Sequence, residues 1–509
     1  MIELTLAQVA DIVGGELVDV TAADAARIRV TGTVEFDSRA VAPGGLFLAL
    51  PGARSDGHDH AAAAVAAGAV AVLAARPVGV PAIVVPAVKD DGAEADSGAG
   101  VLEYDADGSG AAVLRALARL AAAVAAELVT GGLTVVGVTG SSGKTSTKDL
   151  LAAVLAPLGE VVAPPGSFNN ELGHPWTVLR ATRDTDYLIL ELSARHPGNI
   201  AALAAIAPPS IGVVLNVGTA HLGEFGSRDA IAATKSELPQ AVPASGVVIL
   251  NADDPVVAAM ADKTAARVVR VARSPAGDVW AGDVTLDELA RPRFALHAGG
   301  DRIDVALAVH GDHQVSNALC AAAVALECGA SLDVVAAALE SAGPVSRHRM
   351  QVSTRADGVT IVNDAYNANP DSMRAGLKAL AWMASHGGQE RSDPGRAQSR
   401  RRSWAVLGEM AELGDDAISE HDSIGRLAVR LDVSRLVVVG TGRSVSAMHQ
   451  GAVMEGSWGS EAVIVPDADA ALELLRAEVR DGDVVLVKAS NSAGLGVLAD
   501  ALAKGAEPA

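Results

Sequence analysis

Residues 139–145, with the sequence TGSSGKT, have the residue types and the spacing of a loop that binds a polyphosphate. The apolar run LTVVGV before them predicts a buried parallel strand, and the run STKDLLAAVLAPLG after them predicts a helix. Backbone N–H groups in such a turn, at the positive end of the helix dipole, bind phosphate oxygens. Lys144 would reach the β- and γ-phosphates, and the Thr145 hydroxyl would ligate Mg²⁺. The predicted ATP-binding residues of this loop are Thr139, Gly140, Ser141, Ser142, Gly143, Lys144, Thr145 and Ser146.

The loop departs at one position from the longest form of the phosphate-binding motif. Val138 occupies the place of its first glycine, so the remaining pattern is the shorter GxxGKT form. The alternative interpretation is an ordinary Gly/Ser turn with a solvated lysine. Because the strand, the loop, the GKT triplet and the helix all agree, an ATP site is favoured.

Polar residues follow the next predicted strands of the same region. Glu191 ends the run DYLILEL and Asn216 ends the run IGVVLN. In parallel sheets, ligands bind at the carboxyl ends of the strands, so both residues are expected near the loop. His221 follows five residues after Asn216, and Lys235 lies on the next predicted helix. A lone glutamate at a strand end is usually a cap or a surface charge, but beside this loop Glu191 is a candidate Mg²⁺ ligand together with Thr145. The pattern of the residues alone does not place His221 at a metal.

Composition restricts the classes of function. With 509 residues the chain is long enough for about three domains. Aromatic residues make up only 3% of the chain, which argues against base-stacking platforms for single-stranded nucleic acid. The net charge of −21 would repel a phosphate backbone or an anionic bilayer. The sequence therefore predicts no nucleic-acid partner, whereas a small anionic substrate is compatible with local cations and Mg²⁺.

Cysteine use and hydropathy predict a cytoplasmic protein without a membrane span. Cys320 and Cys328 lie on one predicted helix, without the spacing of a disulfide framework or a metal site. Glu3 and Asp11 leave no basic region at the N-terminus, which argues against a signal peptide. The longest alanine-rich apolar run, residues 61–75, is shorter than the ~20 residues needed to cross a bilayer.

Alternation of predicted strands and helices indicates three α/β domains. We expect an N-terminal α/β domain over residues 1–107, a central doubly wound parallel-sheet domain of the P-loop ATPase type over 108–350, and a Rossmann-like α/β domain over 351–509. Within the first domain, VTGTVEFDSRAV is predicted as one strand, and in the central domain residues 278–310 alternate like antiparallel strands. The acidic stretch 88–110 is predicted to be a mobile insertion, and the basic stretch 386–403 a surface loop without chemistry.

Two polar loops of the first domain carry candidate binding residues. One is Asp37-Ser38-Arg39, and the other, residues 52–60, contains His58 and His60 beside aspartates. Loops of this kind are usually solvated turns. With no partner cluster of ligands elsewhere, a solvated turn is favoured over a metal site at the two histidines.

Nine motifs, in order and in register over nearly the whole chain, closely resemble the Mur ligase family. They are TGSSGKTS, FNNELGHPWTVLRA, ELSARHPGNI, LNVGTAHLGEFGS, KSELP, NADDP, GDHQVSNALCAA, NDAYNANPDSM and GEMAELG. The resemblance implies an ATP-dependent amide ligase of peptidoglycan precursor synthesis. NDAYNANP and GEMAELG indicate the member that joins D-Ala-D-Ala to UDP-N-acetylmuramoyl (UDP-MurNAc)-tripeptide. Its N-terminal domain would bind the UDP-sugar, and its C-terminal domain would close over ATP and bind the D-Ala-D-Ala side. A monomer is expected, although no motif determines the oligomeric state.

The resemblance also assigns roles to individual residues. Thr145 and Glu191 would hold one Mg²⁺ at the ATP phosphates, and Glu191, His221 and a carbamylated Lys235 would hold a second, with Lys144, Glu191, His221 and Lys235 as the catalytic residues. Carbamylation would turn Lys235 from a cation that repels Mg²⁺ into an anionic oxygen ligand. Asn317, Arg349 and Asp364 would contact adenine, phosphate and ribose, with Arg349 preferred over Arg347 from the spacing of the motif. Asp37, Ser38 and Arg39 would hold the uridine diphosphate, and Asn169, Asn170, Tyr366 and Asn367 would line the peptide end.

Two departures from the family pattern and four alternatives follow from the same comparison of motifs. The family often shows K-G-S-R-S where this chain has residues 488–492, KASNS, so the carboxylate of the dipeptide would be contacted differently. Glu409 stands where an aspartate is common. The alternatives are a sister ligase that adds a single amino acid, a folylpolyglutamate-type ligase, a simple kinase and a non-catalytic nucleotide-binding assembly partner. The absence of a D-N-P-R motif argues against the sister ligase, and the N-terminal domain argues against the folylpolyglutamate-type ligase. A simple kinase would not need the two extra domains. Lys144, His221 and Lys235 are all present, which argues against a non-catalytic partner.

Overall fold

The computed structural model describes residues 1–87, 102–218, 222–386, 400–457 and 461–505. Their strands form sheets of five, nine and six strands and one two-stranded ribbon, all joined by helices. No helix within these ranges is long and apolar enough to cross a bilayer. The expected α/β class is confirmed.

The first unit is built on the five-stranded sheet. Its elements are β1 (Leu4–Thr5), α1 (Leu6–Val13), β2 (Glu16–Val18), α2 (Ala22–Ala25), β3 (Arg29–Val30), β4 (Val34–Glu35), β5 (Leu46–Leu48), α3 (Ala61–Ala67), β6 (Ala71–Ala74) and β7 (Ala82–Val84). The sheet order is β2-β7-β6-β5-β4, with β4 to β7 parallel and β2 antiparallel. The prediction of one strand over VTGTVEFDSRAV is wrong, because β3 and β4 belong to different sheets. Gly32 lies between the two strands. The backbone of Gly45 comes so close to it that a Cβ at position 32 would lie 2.7 Å from the Gly45 nitrogen.

A long helix, α4 (Ser109–Thr130), connects the first unit to the central sheet. Its first turn is capped by the Asp105 carboxylate, which accepts hydrogen bonds from the backbone N–H groups of Gly110 and Ala111, each at 2.8 Å. A carboxylate at this end also favours the helix dipole. In the acidic stretch 88–110, residues 88–101 lie outside the described residues, whereas Asp105 has a capping role that the sequence did not indicate.

The central unit carries the nine-stranded sheet. Its elements are β8 (Thr134–Thr139), α5 (Lys144–Leu155), β9 (Val161–Val162), α6 (Gly173–Val178), β10 (Tyr187–Glu191), α7 (Asn199–Ile206), β11 (Ile211–Val214), α8 (Leu222–Phe225), α9 (Arg228–Lys235), α10 (Glu237–Ala241), β12 (Val247–Asn251), α11 (Pro255–Ala258), β13 (Arg267–Ala272), β14 (Val279–Leu286), β15 (Pro292–Ala298), β16 (Asp301–Ala306), α12 (Gln314–Glu327) and α13 (Leu332–Ser341). The order is β16-β15-β14-β13-β12-β11-β8-β10-β9, parallel from β9 to β14. As predicted, β14 to β16 pair antiparallel.

Buried helices cover both faces of the central sheet, as expected for a parallel sheet. Helices α5, α12 and α13 share one apolar core with one face, and α4, α7 and α10 share another core with the opposite face. Because β10 and β11 both pair parallel with β8, the carboxyl ends of the three strands lie at one edge of the sheet, next to the start of α5.

The third unit repeats the layered arrangement on the six-stranded sheet. Its elements are β17 (Gln351–Thr354), β18 (Thr360–Asn363), α14 (Pro370–His386), β19 (Ser403–Leu407), α15 (Ala417–Arg430), β20 (Arg435–Val439), α16 (Arg443–Glu455), β21 (Ala462–Val465), α17 (Ala468–Glu478), β22 (Val484–Lys488) and α18 (Leu495–Lys504). The order is β17-β18-β22-β19-β20-β21, and only β17 is antiparallel to its neighbour. The boundaries expected at 107/108 and 350/351 stay predictions.

The end of the basic stretch 386–403 has a structural role. Residues 387–399 lie outside the described residues, but the half-buried Arg401 guanidinium donates to the carbonyl oxygens of Gly482, Gly358 and Asp483 and to the Thr360 hydroxyl. These bonds connect the turns that precede β18 and β22. The expected surface loop therefore does not include Arg401, whereas the expectation that the stretch has no chemistry stays a prediction.

We expect Arg401→Ala to lower the free energy of unfolding by about 2–3 kcal/mol, because it leaves several acceptors without a charged donor. Chemical denaturation of the variant measures this loss. Arg400→Ala is the matched control, since among the described residues the Arg400 side chain binds the exposed carbonyl groups of Leu431 and Asp432 and pairs with the exposed Asp432 carboxylate. Its expected loss is below about 1 kcal/mol, and equal losses in the two variants would contradict the assigned role.

Candidate functional site

The TGSSGKT loop is held in a defined shape by its neighbours. Gly143 has φ +84°, in the left-handed region that favours glycine, and it precedes α5 directly. The Asn216 side chain, which follows β11, accepts from the backbone N–H of Ser142 at 3.0 Å and donates to the Ser142 carbonyl at 3.1 Å. The backbone N–H of Ser141 donates to the Asn216 carbonyl at 3.1 Å. Asn216 thus fixes the loop, a role that its position at a strand end did not reveal.

Lys144 lies in the wall of this loop at the start of α5. Its Nζ donates to the Gly140 carbonyl at 2.7 Å. Burial lowers the pKa of Lys144 to about 8, while the charge of Glu191 opposes the shift and that of Arg349 adds to it. A bound polyphosphate would supply the negative charge that keeps this ammonium protonated.

Glu191 is fully buried at the end of β10 and faces the loop. Its Oε2 accepts from the Thr145 and Ser167 hydroxyls and from the Asn169 side-chain amide, each at 3.3 Å. Its Oε1 has no hydrogen-bond partner among the described residues. A buried carboxylate oxygen without a donor, beside a threonine hydroxyl, has the chemistry of a site for a hard cation.

Charges around Glu191 partly compensate its burial. Burial raises the pKa of Glu191, and the cations of Lys148, Lys144 and Arg349 oppose that rise. The three cations approach from α5 and from the third unit. They make the carboxylate better suited to remain an anionic ligand.

Arg349, in the segment between α13 and β17, reaches the phosphate loop. Its Nη2 donates to the Thr145 hydroxyl at 3.3 Å, and its guanidinium lies 4.3 Å from the centre of the Tyr366 ring. Arg347, in contrast, is 79% exposed and pairs with Asp500 at 3.0 Å. Of the two arginines that the motif offered, only Arg349 lies at the phosphate loop.

Asp364 and Asn367 form the neighbouring wall of the third unit. The Asp364 carboxylate accepts from Lys488 Nζ at 2.6 Å and from the backbone N–H of Met350 at 3.0 Å. Lys488 also donates to the Asn367 carbonyl at 2.9 Å. Burial lowers the pKa of Lys488, and the Asp364 charge opposes this shift. Lys488 was noted in the sequence only as part of a departing motif, yet it orients the carboxylate predicted to contact ribose.

Asn317 lies where α12 meets the phosphate loop. A Cβ on Gly143 would be 2.7 Å from Asn317 Oδ1, so the two residues are in close contact. The Asn317 side-chain amide donates to Gln314 at 2.9 Å. His313, Ser316 and Cys320 flank it in the cavity wall. The small and polar lining is compatible with the predicted adenine contact.

The Asp37-Ser38-Arg39 turn is exposed and is positioned by aromatic packing. Arg39 pairs with Asp37 at 2.7 Å and lowers the pKa of that carboxyl to about 2. The preceding Phe36 packs against Phe168 and Trp176, with ring centres 6.4 and 5.7 Å away. Trp176 also donates its indole N–H to the Val34 carbonyl at 2.8 Å. The turn therefore approaches the central unit beside the segment that carries Asn169.

Two predicted peptide-end residues have different local roles. Asn169 donates to the Ser167 hydroxyl at 2.9 Å and to Glu191, so it belongs to the phosphate end of the site. Asn170 accepts from the backbone N–H of Gly173 at 2.9 Å and caps the start of α6. Both line the cavity.

Lys235 is buried at the end of α9, with 7% exposure. The described residues place no carboxylate within ion-pair distance of its Nζ. Burial lowers the pKa of Lys235 well below its usual range, and the Lys144 cation adds to the shift. His221, its predicted partner, lies outside the described residues. Among those that are described, no group of three or more His, Cys, Asp or Glu side chains forms a metal cluster.

His58 and His60 lie in the turn 57–60, and the expectation of a solvated turn is wrong for His58. His58 is buried, with Nδ1 2.7 Å from Asp56 and Nε2 accepting from the backbone N–H of Ala75 at 3.1 Å. His60 Nε2 lies 3.0 Å from the Ser55 hydroxyl. Both ring nitrogens of His58 are thus used inside the loop.

A buried lysine on α5, the helix that follows the phosphate loop, binds the segment between α13 and β17. Lys148 Nζ donates to the Pro164 carbonyl at 3.0 Å and to the Ser346 hydroxyl at 3.3 Å, and it pairs with Asp149 at 2.5 Å. The Asp149 carboxylate accepts from the backbone N–H of Ser346 at 3.1 Å. This contact, which we call the Ser346 anchor, lies three residues before Arg349 and was not predicted.

His174, on α6 behind Glu191, is a buried imidazole with 1% exposure. Neither ring nitrogen has a hydrogen bond of good geometry to a described residue. Burial lowers the pKa of His174 to about 4, although the nearby backbone carbonyl groups of Glu191 and Leu203 oppose the shift.

We expect His174→Leu to raise the free energy of unfolding by about 1–2 kcal/mol at neutral pH, because it removes buried polar atoms without partners. The unfolded imidazole binds a proton below about pH 6.5 and the folded one only near pH 4. Acidification through that window therefore destabilises the wild type, by up to roughly 3 kcal/mol, and affects the variant less. Thermal unfolding at pH 7.5 and pH 5 measures both effects.

His421→Leu is the matched control for His174→Leu. His421 is also fully buried, but its Nε2 accepts from the backbone N–H of Met410 at 2.9 Å and its Nδ1 lies 2.6 Å from the Ala417 carbonyl. Its replacement should lower stability. A change of the free energy of unfolding in the same direction in both variants would contradict the interpretation.

One large cavity brings these residues together. It has a volume of 1170 Å³ and is lined by the central and third units, with Leu114 of α4. The predicted residues in its lining are Ser141, Ser142, Gly143, Lys144, Thr145, Ser146, Asn169, Asn170, Asn317, Arg349, Asp364, Tyr366 and Asn367. Glu191 and Thr139 lie directly behind this lining, and Thr139 donates to the Leu192 carbonyl at 2.9 Å. Asp37, Ser38, Arg39 and Lys235 lie outside it.

Three family models match the chain along its length. The Mur ligase family catalytic domain matches residues 32–122, the Mur ligase middle domain 138–325, and the Mur ligase glutamate ligase domain 348–491. Together with the phosphate loop and the cavity between units, they define an ATP-dependent ligase of three α/β domains. The chain belongs to the Mur ligase family, which confirms the resemblance and the expected fold class.

Relatives and solved structures agree with this assignment. The UDP-N-acetylmuramoyl-tripeptide–D-alanyl-D-alanine ligase of Mycobacterium tuberculosis (strain ATCC 25618 / H37Rv) is 75% identical over 99% of this chain and 98% of its own length. The ligase of the same name from Escherichia coli (strain K12) is 33% identical over 86% of each chain. A crystal structure of MurF from Acinetobacter baumannii superposes with a TM-score of 0.79 at 29% identity, covering 99% of both chains. MurF ligase from Thermotoga maritima in complex with ADP gives 0.73 at 27% identity, covering 93% of this chain and 98% of its own.

Proposed function

We propose that this chain joins D-Ala-D-Ala to UDP-MurNAc-tripeptide in an ATP-dependent amide-forming reaction. The products are UDP-MurNAc-pentapeptide, ADP and phosphate, so the reaction belongs to peptidoglycan precursor synthesis. The observation that carries this proposal is the 75% identity, over 99% of the chain, to a ligase named for these two substrates. The phosphate loop and the large cavity next to it supply the site that such a reaction needs.

The first step activates the tripeptide carboxylate. An oxygen of that carboxylate attacks the γ-phosphorus of ATP, the bond to the β–γ bridging oxygen breaks, and an acyl phosphate and ADP form. Lys144 and Arg349 both lie at the loop, where their cations stabilise charge on the transferring phosphoryl group. Asn317 and Asp364 would contact adenine and ribose, in line with their places in the cavity wall.

Magnesium fits the residues at this end of the cavity. Thr145 and the unsatisfied Oε1 of Glu191 offer hard oxygen ligands beside the phosphate loop. When bound, Mg²⁺ neutralises phosphate charge and holds the reacting oxygens in line. Glu191, His221 and a modified Lys235 are proposed to hold the second ion.

Lys235 is proposed to carry a carbamate. Burial lowers the pKa of the Lys235 amine well below its usual range, which favours the neutral amine, and no carboxylate of the described residues pairs with it. The neutral nitrogen attacks CO₂, an N–C bond forms, and one proton leaves to solvent. The side chain is then an anion, which the neighbouring Lys144 cation attracts.

The second step forms the amide. The neutral amine of D-Ala-D-Ala attacks the acyl carbon, a tetrahedral intermediate forms, and the C–O bond to phosphate breaks as the amine loses its proton. The third unit covers the cavity and excludes water, which would hydrolyse the acyl phosphate. Asp37, Ser38 and Arg39 would hold the uridine diphosphate, and Asn169, Asn170, Tyr366 and Asn367 would line the path to the peptide end. A monomer and a cytoplasmic location stay predictions.

The test is phosphate release from ATP by the purified protein with UDP-MurNAc-tripeptide and Mg²⁺, with and without D-Ala-D-Ala. We expect release that depends on the dipeptide and a UDP-MurNAc-pentapeptide product by mass spectrometry. Release with a single amino acid would instead identify a sister ligase. No release under any pairing would favour a non-catalytic nucleotide-binding partner.

A further inference from the structure

The arginine at the phosphate loop, Arg349, lies between two residues with a strained backbone. His348 has φ +58° and Met350 has φ +46°, both in the left-handed region that costs a residue with a Cβ free energy. Such conformations persist only where the surrounding structure holds them in place. The strain therefore directs attention to the contacts that fix the backbone on each side of Arg349.

The direction of the Arg349 side chain matters because it is half-buried in the cavity wall. Its Nη2 donates to the Thr145 hydroxyl at 3.3 Å, and its guanidinium lies over the Tyr366 ring. The buried Nε has no hydrogen-bond partner among the described residues. A buried N–H of a cation beside the phosphate loop has the chemistry to donate to a phosphate oxygen. A displacement of about 1 Å would spoil that geometry.

An aspartate of the last described helix holds His348 from the third unit. Asp500, on α18, has Oδ2 3.1 Å from His348 Nε2, and its Oδ1 accepts from the Asn363 side-chain amide at 2.9 Å. Burial acts to raise the pKa of Asp500, but its bonds to His348 and Asn363 bring the pKa below the usual value of an aspartate. An ionised carboxylate only accepts hydrogen bonds, so Nε2 of His348 carries the proton in this contact.

The start of α18 leaves room for the His348 ring. A Cβ on Gly496, one turn before Asp500, would lie 2.4 Å from His348 Nδ1. The Asn363 side-chain amide also donates to the Gly496 carbonyl at 3.0 Å, which fixes this end of the helix. The His348 carbonyl accepts from the backbone N–H of Tyr366 at 3.2 Å. Both the ring and the backbone of His348 are thus held by the third unit.

The two neighbours of Arg349 are held in different places. The backbone N–H of Met350 donates to the Asp364 carboxylate at 3.0 Å, in the wall that is proposed to contact ribose. His348 and Asp500, in contrast, are not part of the cavity lining. The contact between them is therefore available for an effect on Arg349 that does not pass through a bound nucleotide.

We propose that the His348–Asp500 pair positions Arg349 for the phosphoryl group that ATP transfers. This inference rests on the proposed function. Neither residue of the pair touches the nucleotide, and both act through the backbone that precedes Arg349, so they are positioning residues. The last described helix of the chain then contributes to the first chemical step from outside the cavity.

The test is a double-mutant cycle between His348 and Arg349, measured as dipeptide-dependent phosphate release. His348→Asn is suitable because asparagine tolerates a positive φ but is shorter than histidine and loses the bond to Asp500. We expect kcat to fall about 10- to 100-fold in His348→Asn, with the KM for D-Ala-D-Ala unchanged. In an Arg349→Ala background the same substitution should change kcat by less than about twofold, because the group that it positions is gone. Equal factors in both backgrounds, or a wild-type kcat in His348→Asn, would overturn the proposal.

Asp500→Ala removes the pair from its other side and should lower kcat in the same way, again only while Arg349 is present. Arg347→Gln is the matched control, because Arg347 binds the same Asp500 oxygen at 3.0 Å but its side chain is 79% exposed. Its kcat should stay within about twofold of the wild-type value. A loss as large as that of His348→Asn would show an effect of charge at Asp500 and contradict the role of His348.

A binding measurement separates this inference from the proposed function. Calorimetry with a non-hydrolysable ATP analogue and Mg²⁺ needs neither the tripeptide nor the dipeptide. We expect about 10-fold weaker binding in His348→Asn, as for a weakened hydrogen bond to a charged group, and no change in Arg347→Gln. A wild type that binds the analogue but releases no phosphate would refute the proposed function, and weaker binding in His348→Asn would still support the pair. Wild-type affinity in His348→Asn would overturn it.

Discussion

Lys144→Ala is expected to reduce dipeptide-dependent phosphate release by at least about 10³-fold, which corresponds to ~4 kcal/mol of transition-state stabilisation. Lys144 Nζ lies 2.7 Å from the Gly140 carbonyl, in the loop where the phosphates would bind. Alanine removes the Lys144 ammonium, which would neutralise the charge of the phosphates, and water replaces this ammonium poorly. Phosphate release with saturating substrates measures the loss.

The control for this variant is Lys504→Ala, at the exposed end of α18, which should keep wild-type turnover. Thermal unfolding should show that Lys144→Ala is folded and that ADP no longer stabilises it. Turnover near the wild-type rate would remove Lys144 from the mechanism.

The same lysine predicts a pH dependence. Its pKa is lowered to about 8 in the protein without nucleotide. Above that pH the amine is increasingly neutral, so ATP must bind together with a proton. We expect the KM for ATP to rise above about pH 8, and a KM that is flat to pH 9.5 would contradict this assignment.

Lys235→Ala is the second change with a large expected effect, a loss of about 10²-fold or more in kcat, by analogy with other charged groups at reacting centres. The carbamate would be the missing anion, so short carboxylates such as acetate or propionate should restore part of the activity. Activity at the wild-type level, or a loss without any rescue, would argue against the carbamate.

A second measurement on Lys235 does not depend on turnover. Protein equilibrated with ¹³C-bicarbonate should show a carbamate carbonyl resonance by NMR, and Lys235→Ala should lack it. The amine must be neutral to react, and burial lowers the pKa of Lys235 well below its usual range. The resonance should therefore arise from the buried Lys235 in preference to exposed lysines, whose pKa keeps their amines protonated.

Local patterns predicted the parts of the site that short segments determine. The strand, the glycine turn and the helix around Lys144 are adjacent in sequence, so their hydrophobic periodicity was enough to place them. Glu191 was expected at the edge of the sheet because β10 is one apolar run. The third unit was recognised for the same reason, since three of its five parallel strands are fully buried and a fourth is buried except for Arg435.

Contacts between distant segments were not predictable in this way. The bond of Asn216 to Ser142 depends on β11 lying next to β8, which only the sheet order reveals. Lys148 is buried beside Ser346, which lies 198 residues further along the chain. The two-residue strands β3 and β4 are too short for any periodic signal.

The Ser346 anchor gives the third unit a pivot on the same helix that begins with Lys144. Arg349 lies only three residues from this pivot, within about 10 Å even if the chain is extended. Strand β21 lies at the opposite edge of the six-stranded sheet, about 24 Å across five strand spacings. A rigid rotation moves each atom in proportion to its radius, so the short lever arm keeps Arg349 near the phosphates while the far edge of the sheet travels more than twice as far. Any rotation about this anchor would therefore displace Arg349 less than it displaces the far edge of the sheet.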